Sequence, residues 1–439
     1  MLWGKKSVFF YSFLIFTPVI FAACTIPFFG GGQQPVTIRY WGLWEPATVM
    51  DAVFAKYKLE HPNVTIEYEQ QDPRDYRERL QAAIAAGTGP DIFRFHNTWV
   101  PIVKNELAQI PPAVIDATTF QNNFYSVAQR DLAGPEGFWG IPLEFDGLGL
   151  YYNVDLLEAA GFTQPPTNWD QLRTAAATLT VKDTAGKIIT AGVALGTADN
   201  IDHFSDILAV MMAQNGVDLK NIITGDEKRD KLAIDAMDFY TVFAKSGQDR
   251  TWDDTQESTT AAFAAGKLAF YLAPSWRAFE VKLANPELNF KITPIPQLPG
   301  GKVNWASYWV EGVSAKSKNQ QAAFDLLKFL AQPDTLQTFY SEAAKVRLFG
   351  EPYPVVSLGE SLAQDPFVGA YIQSAPTAVS FPAVTNTFDN GLNDRISQFF
   401  KDAVNSVNSG TNTKTALETL TKGIAQVYSQ FGLTAGAPQ

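Results

Sequence analysis

Aromatic side chains stand where a fold could turn them toward a ligand. Trp41, Trp44, Phe95, Trp99, Trp139, Trp276, Trp305 and Trp309 fall at predicted strand ends or in loops, in a chain that is 13% Phe, Trp and Tyr. A flat apolar ring suits the C–H face of a sugar, and planar carboxylates and amides suit its hydroxyl rim. The competing use of a large aromatic is to fill a core. Trp169, between Asn168 and Asp170 at a predicted helix start, reads that way and is set aside.

Other chemistries find weaker footing. Gly87-Thr88-Gly89-Pro90 lacks the Gly-Lys-Ser/Thr ending of a phosphate loop, and its proline removes an amide donor, so it reads as a turn. No Gly-x-Ser-x-Gly elbow occurs. His61, His96 and His203 have no zinc-binding spacing, and a single cysteine excludes a disulfide framework or a Cys-cluster metal site. Neither a metal nor a cofactor is expected. With 45 acidic residues, a glycosidase carboxylate pair is left open by spacing alone. Net charge −11 and pI about 4.9 argue against a nucleic-acid surface.

The elements that must position these residues follow from periodicity. Val36, Ile38 and Tyr40 alternate with polar residues as a strand; Val49, Ala52, Val53 and Tyr57 share a helical face that stops at His61-Pro62-Asn63; Val64, Ile66 and Tyr68 alternate again. This is a βαβ unit and implies a parallel sheet. Tyr76 to Ala86 reads as a helix, Asp91 to Phe95 as a strand, and Gly140–Leu143 and Leu148–Tyr152 as extended. Thr167 with Asp170 resembles a capping box. Leu268–Ala273 is a buried strand followed by a helix opened at Pro274-Ser275-Trp276, and Asn319–Ala331 is an amphipathic helix. Residues 392–404 and 414–431 read as helices.

The N-terminus has Lys5 and Lys6, an apolar run from Ser7 to Phe21, and Ala22-Ala23-Cys24. This pattern predicts a signal peptide over 1–23. An uncleaved anchor is the alternative, but the run is short of the ~20 residues a span requires. The sole cysteine at the boundary resembles a bacterial lipobox, which implies a lipidated Cys24 followed by a flexible tether to residue 35.

Two longer segments carry a family likeness. Gly140-Ile141-Pro142-Leu143-Glu144-Phe145-Asp146-Gly147 runs through Tyr151-Tyr152-Asn153 to Pro165-Pro166-Thr167-Asn168-Trp169, with Phe263-Ala264-Ala265-Gly266-Lys267 and Pro274-Ser275-Trp276 downstream. This resembles the family 1 extracellular solute-binding proteins, the maltose-binding-like carbohydrate receptors of ABC importers. Gly87–Ile92 and Ala322–Pro333 support the likeness. It implies an α/β, two-lobed, type II periplasmic-binding-protein-like fold with discontinuous lobes joined by hinges. Lobe 1 would be 36–145 plus 290–333 and lobe 2 would be 146–289 plus 334–431, with 432–439 a tail. Crossings are expected near 143–147, 288–294 and 331–335.

Carried over residue by residue, the likeness implies ligand-binding roles for Trp44, Glu45, Phe95, His96, Asn97, Asp146, Trp276, Trp309, Glu311 and Asp389. It implies a non-enzymatic receptor for a sugar or oligosaccharide, outside the cytoplasmic membrane, with a transmembrane permease as partner. A secreted glycoside hydrolase is the rival from another class. A receptor of the same fold for a polyamine or peptide is the rival within it.

Overall fold

The computed structural model describes Gly4, Lys6, Ser7 and residues 34–433. Most of the expected signal peptide, Cys24 and most of the tether lie outside the described residues, as do residues 434–439.

From Pro35 onward the chain builds two large sheets and a two-stranded one, Asn304–Trp305 parallel to Ala378–Val379. In the first, Val36–Gly42 lies between Val64–Gln70 and Ile92–His96, parallel to both. The helix Ala47–Glu60 bridges the first two strands and buries Val49, Met50, Val53, Phe54 and Tyr57. Spacings of three and four place these side chains on one face. Trp309–Ser314 returns antiparallel to Ile92–His96, and Leu107–Ala108 and Ile141–Pro142 pair with its other edge. The turn at Gly87 has φ +73°, a conformation favourable only without a Cβ, so the helix Tyr76–Ala85 stops there.

The second sheet runs Phe290–Pro294, Gly149–Asn153, Leu268–Ala273, Ile188–Val193, Val181–Lys182. Leu268–Ala273 is buried at every position, as a central strand covered on both faces must be. On this lobe pack Trp169–Leu179, Phe204–Gln214, Glu227–Thr241, Leu392–Asn408 and Thr413–Gln430. Asn168, not Thr167, caps the helix from Trp169, its Oδ1 accepting from the Gln171 amide at 2.9 Å. Thr167 joins the cap differently, since its N–H and hydroxyl both donate to Gln171 Oε1. Trp169 is buried and donates to Gln214.

Two expected boundaries move. Phe290–Pro294, expected in lobe 1, extends the second sheet by pairing antiparallel with Gly149–Asn153. The crossing expected at 288–294 therefore falls between Ile295 and Tyr308. The helix Pro333–Ala343, expected in lobe 2 from residue 334 on, packs on Ala47–Glu60 and buries Leu336, Phe339 and Ala343 on the first lobe. The crossing expected at 331–335 therefore follows Ala343.

All three crossings run side by side. Gly147 bridges Ala306, the Ser307 amide donates to the Asp146 carbonyl at 3.0 Å, and the Phe145 amide donates to the Pro352 carbonyl at 2.9 Å. Gly147 has to be glycine, because a Cβ there would lie 1.9 Å from the Trp305 carbonyl oxygen.

Candidate functional site

Between the two sheets lies a cavity of about 520 Å³. Its wall is assembled from strand ends and loops of both lobes and from the crossings themselves. Trp44 follows the strand Val36–Gly42, His96 ends Ile92–His96, and Trp309 begins Trp309–Ser314. Trp309 is the hub of this aromatic wall, edge-on to His96 (5.2 Å between ring centroids), Trp99 (5.4 Å) and Trp44 (5.5 Å).

The facing wall belongs to the second lobe. Leu268–Ala273 ends at the cavity, and Trp276 projects from the turn before the helix Arg277–Ala284. The Arg277 guanidinium lies over the Trp276 ring, 4.2 Å from its centroid, and donates from Nε to His203 Nε2 at 3.0 Å. His203 can accept there only when Nε2 is unprotonated, and burial with the nearby guanidinium pushes its pKa down to about 3. Its Nδ1 lies 2.8 Å from Thr385 Oγ1, which in turn donates to Asp206. The hydrogen-bonded chain Arg277–His203–Thr385–Asp206 thus fixes the plane of the Trp276 ring.

Asp146 sits in the first crossing. Its carboxylate accepts from the Gly147 amide at 2.7 Å and from the Ser275 amide and hydroxyl, the latter at 2.8 Å. Burial nevertheless raises its pKa to about 7, because desolvation penalises the charge more than these donors relieve it. Asp206 is raised to about 7 for the same reason.

Five of the ten residues singled out from sequence line this cavity: Trp44, His96, Asp146, Trp276 and Trp309. The other five stand elsewhere. Phe95 is fully buried in a strand that is covered on both faces. Glu45 and Glu311 flank Arg94 at 2.7 Å each, and all three are 1% exposed at the side chain. Asn97 donates to Asp131 at 2.8 Å and borders a separate cavity of about 190 Å³. Asp389 is buried, and its carboxylate accepts from the Gly391 and Asn393 amides at the start of the helix Leu392–Asn408. Phe95 is taken up by packing, and Glu45, Glu311, Asn97 and Asp389 face partners within the protein.

Residues 52–365 match the family described as bacterial extracellular solute-binding protein. The chain belongs to that family. A binding protein of Brucella abortus (strain 2308) is 24% identical over 284 residues, 63% of this chain and 67% of that protein. A lactose-binding protein of Rhizobium radiobacter is 30% identical over 145 residues, 32% of this chain and 33% of that protein. In fold, the chain is similar to a cyclic alpha-maltosyl-1,6-maltose binding protein from Arthrobacter globiformis, with TM-score 0.72 and 19% identity over 90% of this chain and all of that one. It is also similar to a cyclo/maltodextrin-binding protein solved with maltotetraose, with TM-score 0.71 and 17% identity over 91% of this chain and 98% of that one. The fold is thus the two-lobed one shared by such binding proteins.

Sequence reasoning missed much of the polar lining. Glu144 accepts from the Trp309 amide at 2.9 Å, and Arg347 pairs with Glu351 at 2.5 Å. Glu351 is the hydrogen-bonding neighbour of both Glu144 and Glu45. Burial pushes Glu144 well up and Glu45 to about 7; Glu351 is also buried, but Arg347 and its carboxyl neighbours outweigh that and hold it low. Glu144 stood inside the segment that carries the likeness, two residues before Asp146. Arg347 and Glu351 were hidden by the misplaced third crossing, and His203 is a lone histidine with no local signal.

Among the described residues no group of His, Cys, Asp and Glu side chains is placed to hold a metal ion, and no helix is long and apolar enough to cross a membrane.

Proposed function

We propose that this family member is the extracytoplasmic receptor of an ABC importer. It captures a sugar or oligosaccharide in the interlobe cavity and delivers it to a transmembrane permease, tethered to the membrane by lipid on Cys24. The observation that carries the sugar reading is the pairing of half-buried indoles from opposite lobes, Trp44 and Trp309 against Trp276, around a cavity whose rim is carboxylate and hydroxyl. Trp44, His96, Asp146, Trp276 and Trp309 are its proposed contacts.

Hydrolysis is not part of this reading. Asp146 is held by Ser275, Glu144 by the Trp309 amide, Asp206 by Thr385 and Trp305, Glu280 by Arg277 and Glu351 by Arg347, so these lining carboxylates already have partners. A glycosidase needs one carboxyl group free to protonate the leaving oxygen and a second free to act on the sugar or on water.

A thermal-shift screen across mono- and oligosaccharides, with spermidine and a short peptide as controls, tests the reading. Ligand that binds only the native state raises the apparent melting temperature. At least one sugar is expected to do so without being consumed. A shift with spermidine or the peptide alone, or release of a shortened sugar, overturns it.

A further inference from the structure

Four described residues other than glycine hold positive φ: Asp75 (53°), Asn386 (60°), Phe388 (56°) and Asn390 (45°). Three of them alternate within Thr385–Gly391. The fourth receives a hydrogen bond from that segment, Asn390 Nδ2 donating to Asp75 Oδ1 at 3.0 Å. Asn and Asp tolerate left-handed backbone, but for Phe it is an outlier. Such strain persists only where surrounding contacts over-determine it. Here Asp389 accepts the amides that open the next helix, while Arg77 Nε donates to the Asp389 carbonyl at 2.5 Å. Asp75 and Arg77 belong to the first lobe, whereas the segment leads into Leu392–Asn408 on the second. The strained segment is therefore bonded across the cleft.

The same segment walls the cavity. Thr385 to Phe388 line it, and Phe388 also borders an open depression of about 630 Å³ beside Trp44 and residues 70–74. Phe388 and Trp44 are shared by the two spaces, so together they partition them. Next to Phe388, Thr387 is 1% exposed and its hydroxyl has no hydrogen-bond partner. A buried hydroxyl left unpaired is costly, and a missing partner is its usual explanation. At the other end of the segment, Thr385 is hydrogen-bonded through His203 to Arg277, which covers Trp276.

We propose that Thr385–Gly391 is a strained gate between the enclosed cavity and the open depression, in which Phe388 sets the length of sugar chain accepted and the Thr387 hydroxyl binds a ligand hydroxyl. The length role rests on the sugar reading above. The gate itself does not, because strain, cross-lobe bonds and the partition are properties of the chain alone.

Two measurements on the full chain separate these parts. Calorimetry with linear glucose and mannose chains, from disaccharide to hexasaccharide, compares wild type with Phe388→Ala and Thr387→Val. Wild-type affinity is expected to peak at the length that fills the cavity. Phe388→Ala should favour the longest chain over the disaccharide by about tenfold relative to wild type. Thr387→Val should weaken every bound length by about two- to tenfold. Hydrogen exchange without ligand compares wild type with Asp75→Ala, which should raise exchange at 385–391 by about tenfold and leave the sheets unchanged. An unaltered length profile in Phe388→Ala refutes the length role, and unaltered affinity in Thr387→Val refutes the hydroxyl contact. A wild-type segment that already exchanges at the open-chain rate refutes the gate. If no sugar binds any variant, the sugar reading and the length role fall together, and the exchange result alone decides the gate.

Discussion

Trp276 and Trp99 are one residue type under two demands. Trp99 is fully buried and packs edge-on to Trp309, whereas Trp276 is half-buried on the cavity wall. Trp99→Ala is expected to cost about 3–5 kcal/mol in urea unfolding, as truncating a core aromatic does. Trp276→Ala should cost far less stability but weaken the bound sugar by roughly 1–3 kcal/mol, or about 5–150-fold, by analogy with stacking of bases on aromatics. The reverse pattern would make Trp276 a core residue. Asp146 gives a pH signature of its own. Its folded pKa of about 7 lies above the ordinary carboxylate value, so the folded state binds that proton more tightly. The stabilisation is complete below the unfolded value near ~4 and is lost as pH rises through about 7. Asp146→Asn cannot ionise. Its melting temperature relative to wild type should therefore rise between pH 5 and pH 8, and a difference that falls over this range would contradict the raised pKa.

Among the elements, the strand Ile92–His96 shows what sequence hid and why. Period-2 alternation identified Val36–Gly42 and Val64–Gln70, because each alternates buried and more exposed positions along its length. Ile92–His96 is buried at all five positions, so alternation was silent about which side chains face a ligand. Phe95 and Arg94 point into packing, and only His96, at the strand end, reaches the cavity. Helical faces were legible at Ala47–Glu60 and Gln320–Leu330, since their buried sets follow the three-and-four spacing. The crossings were less so, because an edge strand such as Phe290–Pro294 has no residue that names the sheet it will join. Arg94 sits mid-strand as the cation between Glu45 and Glu311, and Tyr40 also donates to Glu311 at 2.8 Å. Arg94→Met leaves two buried carboxylates without their cation. It should destabilise by about 3–5 kcal/mol. Equal stability of wild type and variant at pH 8 would show that the carboxylates are compensated by something other than Arg94.

At the scale of the molecule, the hinge and the cavity share residues. Asp146, Ser307 and Glu351 lie on the three adjacent crossings and also line the cavity. Closure needs no long relay on this arrangement, because a ligand that touches those groups touches the segments about which the lobes would turn. A ligand shifts such an equilibrium only through a difference in affinity between open and closed forms. On the proposed reading, contacts on both lobes, with Trp44 and Trp309 on one and Trp276 on the other, would supply that difference, since an open cleft brings only one wall within reach. Small-angle scattering should therefore give a smaller radius of gyration at saturation with a sugar that raises the melting temperature. Trp276→Ala should reduce the contraction at equal occupancy, because it weakens one wall's hold on the closed form. Gly147→Ala provides the complementary case. Its Cβ would meet the Trp305 carbonyl at 1.9 Å, so two crossings must part to accept it, and its radius without ligand should differ from that of wild type. Wild-type protein that binds sugar yet shows the same radius with and without it would mean that the crossings hold the lobes fixed, and that the cavity fills without closing.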